Sequence, residues 1–220
     1  MDFRKDEETF KNGLAELPKQ AAGLKRAGLK RIGTWLMPCD DELTYLANFK
    51  QHADRLREVA KVLGDSGLML GFEYVGTASL MASKKFPFLH TMAETRELNA
   101  AIGTDNVGLV LDSWHWWHWW QAGDSAEAIR ELKSEEIALV DLNDAPKGVK
   151  KNAQEDGKRE LPMATGVIDV KPFLESLVAI GYDGPVRAEP FNQALRDLED
   201  DAACAATSAA IDKGFALVGG

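Results

Sequence analysis

Four short apolar runs in this chain each end in an acidic residue: Glu73, Asp112, Asp141 and Glu189. Runs of this length, bounded by polar residues and glycines, are typical of strands buried on both faces of a parallel sheet. Because parallel strands point the same way, the four carboxylates are expected to meet at one edge. They would repel one another unless a cation lies among them. An all-oxygen set suits one hard divalent ion, Mn²⁺ or Mg²⁺, with Co²⁺ and Zn²⁺ as alternatives.

A single carboxylate at one of these positions would carry no such implication. An acidic residue after a strand often caps the next helix or lies in a solvated loop. What favours a metal site over that simpler explanation is the recurrence of four acidic residues at the same position after successive strands.

The segments around these residues alternate between helical and strand-like patterns. This order predicts an α/β fold in which right-handed crossovers join a parallel sheet. Helices are predicted at about 8–27, 41–63, 88–102 and 170–180, with a further helix over the tryptophans that follow Asp112. Strands are predicted at about 29–37, 68–75, 107–112, 137–142 and 185–190, with Phe3 and Arg4 as the tail of a sixth. No linker divides the sequence, so residues 1–220 are predicted to form one domain.

The composition limits the classes of partner. The net charge of −9 argues against general binding to nucleic acid or to an anionic membrane, because phosphate groups require clustered Lys and Arg. The two cysteines, Cys39 and Cys204, are far apart and match neither a disulfide framework nor a CxxC zinc motif. The charged amino terminus is unlike a signal peptide, and no apolar run has membrane-spanning length. We therefore expect a cytoplasmic protein.

Five motifs lie in order between residues 30 and 192. They are Gly71-Phe-Glu-Tyr, Leu111-Asp-Ser-Trp-His, Val140-Asp-Leu-Asn-Asp-Ala-Pro, Gly166-Val-Ile-Asp and Gly181-Tyr-Asp-Gly-Pro-Val-Arg-Ala-Glu-Pro-Phe. Together they resemble the sugar isomerase and epimerase group of the xylose isomerase-like TIM barrels. The resemblance implies a (β/α)8-type fold and one divalent metal ion held by Glu73, Asp112, Asp141 and Glu189. It also implies that the two glutamates move protons on and off sugar carbons beside a carbonyl.

The resemblance implies substrate contacts as well. His115 lies three residues after the second carboxylate, and Arg159 lies in the loop after the next strand; such enzymes commonly place these residues against the substrate. Asn143 and Asp144 are expected to orient Asp141 or Arg159 from a second layer. Many relatives carry His or Gln where this chain has Asp141. An anionic third ligand would bind the metal's charge more strongly and leave it a weaker Lewis acid.

Five of the six tryptophans follow Asp112 within eight residues. Helical spacing favours packing roles for Trp114, Trp117 and Trp120, since each indole can bury a large area. Alternatively, one of Trp114 and Trp116 lines the mouth of the barrel, where an indole face packs on sugar C–H groups. The sequence does not choose between these two residues.

Residues 146–165 form a long polar segment. One interpretation is a solvated surface loop. The other is an active-site lid in which Arg159 meets a hydroxyl, carboxylate or phosphate of the substrate. The sequence favours neither.

The number of strands predicts an incomplete barrel. A complete barrel of this type has eight strands in typically ~250 residues. Five clear strands and part of a sixth indicate an N-terminally short barrel with about six of eight βα units. Its open edges would expose unpaired backbone groups and core side chains, which favours a homo-oligomer that covers them.

The function predicted from these features is that of a metal-dependent isomerase or epimerase of a small sugar or polyol. Such an enzyme removes a proton beside a carbonyl and passes through an ene-diolate. Dehydration of a keto-inositol begins with the same step and is an alternative. A truncated barrel that binds ligand weakly is the non-catalytic alternative. A nuclease acting at abasic DNA is disfavoured, because its zinc cluster needs several histidines and this acidic chain has four in all.

Overall fold

The computed structural model describes residues 2–119 and 124–219, and Trp120 lies outside the described residues. Helices and strands alternate along the chain, as the sequence predicts. The α-helices are α1 (Glu7–Arg26), α2 (Tyr45–Asp65), α3 (Ala78–Met81), α4 (Met92–Ile102), α5 (Ser113–Trp119), α6 (Ala126–Arg130), α7 (Lys171–Ala179), α8 (Gln193–Arg196) and α9 (Asp200–Phe215). Short 3₁₀ helices cover Ser134–Glu136, Lys151–Ala153 and Ala216–Val218. The strands are β1 (Arg31–Leu36), β2 (Cys39–Asp40), β3 (Met69–Tyr74), β4 (Phe86–Pro87), β5 (Val107–Asp112), β6 (Ile137–Leu142) and β7 (Val186–Ala188).

Within the described ranges, five parallel strands form one sheet in the order β1-β3-β5-β6-β7. The sheet is curled, since β1 lies against β6 although two strands separate them. A Cβ atom on Gly33 of β1 would lie 2.9 Å from Cδ1 of Leu139 on β6. Strands β2 and β4 form a separate antiparallel pair. The predicted α/β barrel fold is therefore confirmed, in the form of a half-barrel.

The predicted sixth strand at Phe3 and Arg4 is wrong. These residues lie in a turn before α1. Arg4 approaches β1 through its side chain, because its guanidinium donates to the carbonyl of Trp35 and to the hydroxyl of Thr34. The guanidinium also stacks over the rings of Phe3 and Trp35. The side chain of Arg4 therefore contacts the edge of β1, and its backbone does not pair with that strand. The described sheet thus has five strands.

The two faces of the sheet bury different side chains. Large residues on the outer face, such as Phe72 and Leu111, pack with the helices in the main core. A smaller cluster fills the inner face and consists of Val110, Ala138 and Leu139 with Met69 against them. Since alternate residues of a strand face opposite sides, the residue two positions after Val110, Asp112, also points into the open barrel.

The helices cover the outer face. Thr91 caps α4 in a reciprocal capping box with Glu94, and Gly103 ends the helix in a left-handed conformation. Helix α9, for which the sequence gives no prediction, packs against α7 and β7. None of the described helices is both long enough and apolar enough to cross a membrane.

Candidate metal centre and active site

The structure brings the four acidic residues together at the carboxyl end of the sheet. One oxygen atom from each of Glu73, Asp112, Asp141 and Glu189 lies within 4.8 Å of the others. Asp112 and Asp141 are neighbours in the parallel ladder between β5 and β6, and both are fully buried. The side chain of Glu73 is 13% exposed and that of Glu189 is 39% exposed. The cluster therefore opens to solvent on the side of Glu189.

The guanidinium of Arg159 lies among these carboxylates. Its Nη1 donates to Asp112 Oδ2 at 2.6 Å and to Glu189 Oε2 at 3.0 Å. Its Nη2 donates to Asp156 Oδ1 at 2.8 Å, and Arg159 is only 2% exposed. Burial by itself would lower the pKa of Arg159, but the surrounding carboxylates outweigh it and raise that pKa. The arginine predicted to contact substrate is thus also a built-in cation of the acidic cluster.

A second arginine holds Asp141. Arg187 on β7 donates from Nε to Oδ1 at 2.5 Å and from Nη2 to Oδ2 at 2.9 Å. Burial raises the pKa of Asp141, and the hydrogen bonds from Arg187 oppose that shift. The predicted anionic third ligand therefore has its own counter-ion, which the sequence analysis missed. The sequence does contain a sign of this contact. Arg187 lies two residues before Glu189, so both side chains are on the same side of the strand.

Glu73 has an oxygen atom that no described residue satisfies. Its Oε1 is buried and accepts no hydrogen bond, while His115 Nε2 lies 3.7 Å away. Burial, followed by the charge of Asp112, raises the pKa of Glu73 well above its usual range. A buried carboxylate oxygen without a partner, beside three more carboxylates, is the donor chemistry that a divalent cation would satisfy. The residues therefore fit a divalent metal ion.

His115 lies beside this cluster and is buried. The backbone N–H of Gly76 donates to its Nδ1 at 3.1 Å, while Nη2 of Arg159 lies 3.1 Å from its Nε2. That atom faces Glu73 Oε1 and Asp156 Oδ1, the latter at 3.6 Å. Burial, and then the charge of Arg159, lower the pKa of His115 well below its usual range. The ring is therefore neutral and lies between the guanidinium of Arg159 and the carboxylates of Glu73 and Asp156.

Asn143 orients two of the carboxylates, but not the one expected. Its Nδ2 donates to both oxygens of Asp112 at 3.0 Å, and its Oδ1 accepts the backbone N–H of Glu189 at 3.0 Å. The prediction that Asn143 orients Asp141 or Arg159 is wrong, because the amide faces the neighbouring strands β5 and β7. Asn143 therefore links Asp112 to the backbone of Glu189.

Asp144 also has a different role from the one expected. Its carboxylate accepts backbone N–H groups of the following loop at 2.7–3.0 Å, from Ala145, Thr165, Gly166 and Ile168. Its backbone pairs with Glu160, the neighbour of Arg159. Asp144 therefore contacts neither Asp141 nor Arg159 directly, and it fixes the loop that carries the arginine.

The polar segment 146–165 combines features of both predicted interpretations. Residues 147–153 are exposed, as in a solvated loop. Arg159 and Gln154 are buried, and Asp156 reaches the acidic cluster. The second half of the segment thus belongs to the site.

The structure does not place either candidate tryptophan at an open mouth. Trp114 and Trp116 are both 0% exposed. Trp116 packs on Phe173 with ring centroids 5.2 Å apart, and Trp114 packs on His118 at 5.0 Å. Phe191, which the sequence analysis missed, lies closer to the site, with its ring 4.9 Å from the guanidinium carbon of Arg159.

Fold and site together define a class. A curled parallel α/β sheet with carboxylates from successive strands at its carboxyl end is the arrangement of TIM-barrel proteins that bind ligands at that end. The family model for the xylose isomerase-like TIM barrel matches residues 5–210. The chain therefore belongs to the xylose isomerase-like TIM barrel family, as the motifs indicate.

Individual relatives support this assignment. The inosose isomerase of Bacillus velezensis is 24% identical over 190 residues, which are 85% of this chain and 62% of that protein. The 3-dehydroshikimate dehydratase of Pseudomonas aeruginosa is 29% identical over 144 residues, which are 66% of this chain and 21% of the dehydratase. The chain therefore spans less than two thirds of the length of these curated relatives.

Solved structures agree on the fold. A xylose isomerase domain protein from Alicyclobacillus acidocaldarius superposes with a TM-score of 0.88 and 32% identity, over all of this chain and 76% of that one. The IOLI protein with a bound zinc atom superposes with a TM-score of 0.77 and 21% identity, over 96% of this chain and 71% of that one. The second likeness concerns the fold alone.

Proposed function

We propose that this chain carries the active site of a divalent-metal-dependent isomerase or epimerase that acts on a small sugar or polyol. The observation that carries the proposal is the meeting of four carboxylate oxygens within 4.8 Å, one of them, Glu73 Oε1, with no hydrogen-bond partner in the described part of the chain. The similarity to an inosose isomerase supports the substrate class.

Glu73, Asp112, Asp141 and Glu189 would hold the ion, which when bound would polarise a substrate carbonyl and stabilise negative charge on its oxygen. Glu73 on β3 and Glu189 after β7 reach the cluster from strands separated by β5 and β6. They can therefore act on a carbon beside the carbonyl from opposite sides, one removing a proton and the other returning it.

The remaining residues bind and orient. Arg159 presents N–H groups toward the cluster and His115 lies beside it, so both would contact substrate oxygen atoms. Asn143 holds Asp112 and the backbone of Glu189 at a fixed separation. Phe191 packs on the guanidinium of Arg159 and limits its rotation.

The similarity to a 3-dehydroshikimate dehydratase supports a second candidate. Loss of water from a cyclic keto-polyol also begins with removal of a proton beside a carbonyl. The same pair of glutamates would serve, with the acid protonating the leaving hydroxyl.

One experiment tests both candidates. Ketohexoses and inososes are incubated with the Mn²⁺-loaded protein in D₂O, and NMR follows deuterium incorporation beside the carbonyl. We expect incorporation, with isomer formation for the first candidate and an ultraviolet-absorbing enone for the second. Glu73→Gln and Glu189→Gln should each slow incorporation by about 10²-fold or more, whereas Glu175→Gln, at an exposed position of helix α7, should not. Full activity in both site variants would refute the assignment.

A further inference from the structure

Arg187 is the residue of the acidic cluster to which the proposed chemistry gives no role. It lies beside Asp141 in the parallel ladder between β6 and β7. Both oxygens of Asp141 accept from it, at 2.5 and 2.9 Å, so the guanidinium and the carboxylate face each other as a planar fork. Asp141 is fully buried, while the side chain of Arg187 is 53% exposed. The pair therefore closes the solvent side of Asp141.

This fork restricts how Asp141 can bind a cation. A carboxylate can offer a cation one oxygen or both, and both are used chiefly for large ions with six to eight oxygen ligands, such as Ca²⁺. An ion bound by both oxygens of a carboxylate lies between them. In Asp141 the guanidinium of Arg187 already occupies that position between Oδ1 and Oδ2. Asp141 is left with a single oxygen directed at the cluster.

The other carboxylates are not held in this way. The two oxygens of Asp112 accept from three different residues, which are Arg159, Asn143 and Trp114. Glu73 has an oxygen with no partner among the described residues. Removal of Arg187 would therefore free one ligand, Asp141, without breaking the hydrogen bonds that Asp112 accepts.

We propose that Arg187 is a positioning residue that limits Asp141 to one-oxygen binding and so sets the preference of the site for a small, six-coordinate divalent ion over Ca²⁺. The proposal rests on the proposed function, because it requires a cation at the cluster. It assigns no contact between Arg187 and the substrate.

The test compares two ions at one site. Dissociation constants for Mn²⁺ and Ca²⁺ are measured by calorimetry on the metal-free full chain, on Arg187→Gln and on Arg187→Lys. Both ions carry the same charge, so the loss of the arginine's charge affects them alike and their ratio reports ligand geometry. We expect the preference for Mn²⁺ to fall about tenfold in Arg187→Gln, and less in Arg187→Lys, which keeps one donor group.

Two further variants keep the result decisive. Arg96→Gln removes an arginine that pairs with Glu136 at 3.3 Å on the surface, and it should leave the ratio unchanged. The double variant Asp141→Asn/Arg187→Gln removes both charges of the pair and leaves no buried carboxylate without its counter-ion, so its stability shows whether the single variant misfolds for that reason. An unchanged ratio in the Arg187 variants would overturn this inference and leave the proposed function standing. Failure of the parent protein to bind either ion would overturn both.

Discussion

The two ends of the one parallel sheet are built from different chemistry. At the carboxyl end, acidic side chains meet two arginines in a largely buried cluster, made of Glu73, Asp112, Asp141, Glu189, Arg159 and Arg187. Toward the amino end, the inner face carries an apolar cluster, which consists of Val110, Ala138 and Leu139 with Met69 against them. The same strands supply both sets.

The difference separates the part of the sheet that stabilises the fold from the part that would carry the proposed chemistry. Apolar groups that leave water stabilise the folded chain, whereas a buried charge costs free energy unless a partner compensates it. The amino end therefore stabilises the fold. At the carboxyl end, positively charged groups must compensate the buried carboxylates for the chain to fold. Barrels that place ligands at the carboxyl end have the same division of roles.

The largest expected effect comes from removal of the built-in cation. Arg159→Gln should lower the free energy of unfolding of the metal-free protein by about 3–5 kcal/mol, because it leaves buried carboxylates uncompensated. Urea denaturation measures the loss. Added Mn²⁺ should restore stability in proportion to its binding, since it supplies the missing charge to the folded state alone.

The matched control is Arg130→Gln on α6, where the arginine is exposed and its removal should change stability by less than about 0.5 kcal/mol. A loss of equal size in both variants would mean that the carboxyl end does not depend on a cation more than the surface does.

The amino end should respond to a change of volume. A Cβ atom on Gly108 would lie 2.7 Å from the carbonyl oxygen of Glu136 and 2.4 Å from Cε of Met69. The methionine can move, but the backbone carbonyl cannot, so Gly108→Ala should cost about 2 kcal/mol of stability. The dissociation constant for Mn²⁺ should stay within about twofold of the parent, because the clash lies at the other end of the sheet.

Gly23→Ala in helix α1 provides the comparison. Only Arg26 Nη2, at 3.8 Å, comes within 4 Å of the added Cβ atom, so the same substitution should keep or raise stability there. A Gly108→Ala protein that binds Mn²⁺ much more weakly than the parent would show that the two ends are coupled.

The contrast between the two ends also explains what the sequence could predict. The ligand candidates Glu73 and Asp112 were predictable because each lies at the carboxyl end of its own strand, and parallel strands bring these ends together. The fork between Arg187 and Asp141 depends on the register of two strands that are 46 residues apart in the chain, and no local pattern encodes it. Helical spacing places Trp116 on a helix but does not tell whether Phe173 will cover it.

The roles of loop residues were predictable only in part. The family motifs point to Arg159, but its position among the carboxylates follows from the way the loop folds back. That path is fixed by Asp144, whose carboxylate accepts backbone N–H groups from residues 145–168. A carboxylate in a motif can equally be a ligand or a support for a loop, and the motif alone does not distinguish the two.

The smallest expected effect concerns the pH dependence at Glu73 in the metal-free protein. Burial raises the pKa of Glu73 above its ordinary value of 4.5, so the folded state retains this proton to higher pH than the unfolded state does. The stability gained from protonation is complete below 4.5 and is lost as the pH rises through the folded-state pKa. The slope is at most about 1.4 kcal/mol per pH unit, the value for one proton.

Glu73→Gln has no such proton. In EDTA, its stability relative to the parent should rise with pH above 4.5, by on the order of 1 kcal/mol near pH 6, and urea denaturation across pH 4–8 measures the difference. Glu175→Gln, at an exposed position of α7, should show no pH-dependent gain. With Mn²⁺ present the sign should reverse, because the parent then gains a ligand that the variant lacks. A parent and variant with parallel pH profiles in EDTA would mean that Glu73 finds a partner in solution, and the carboxyl end would then need no added cation.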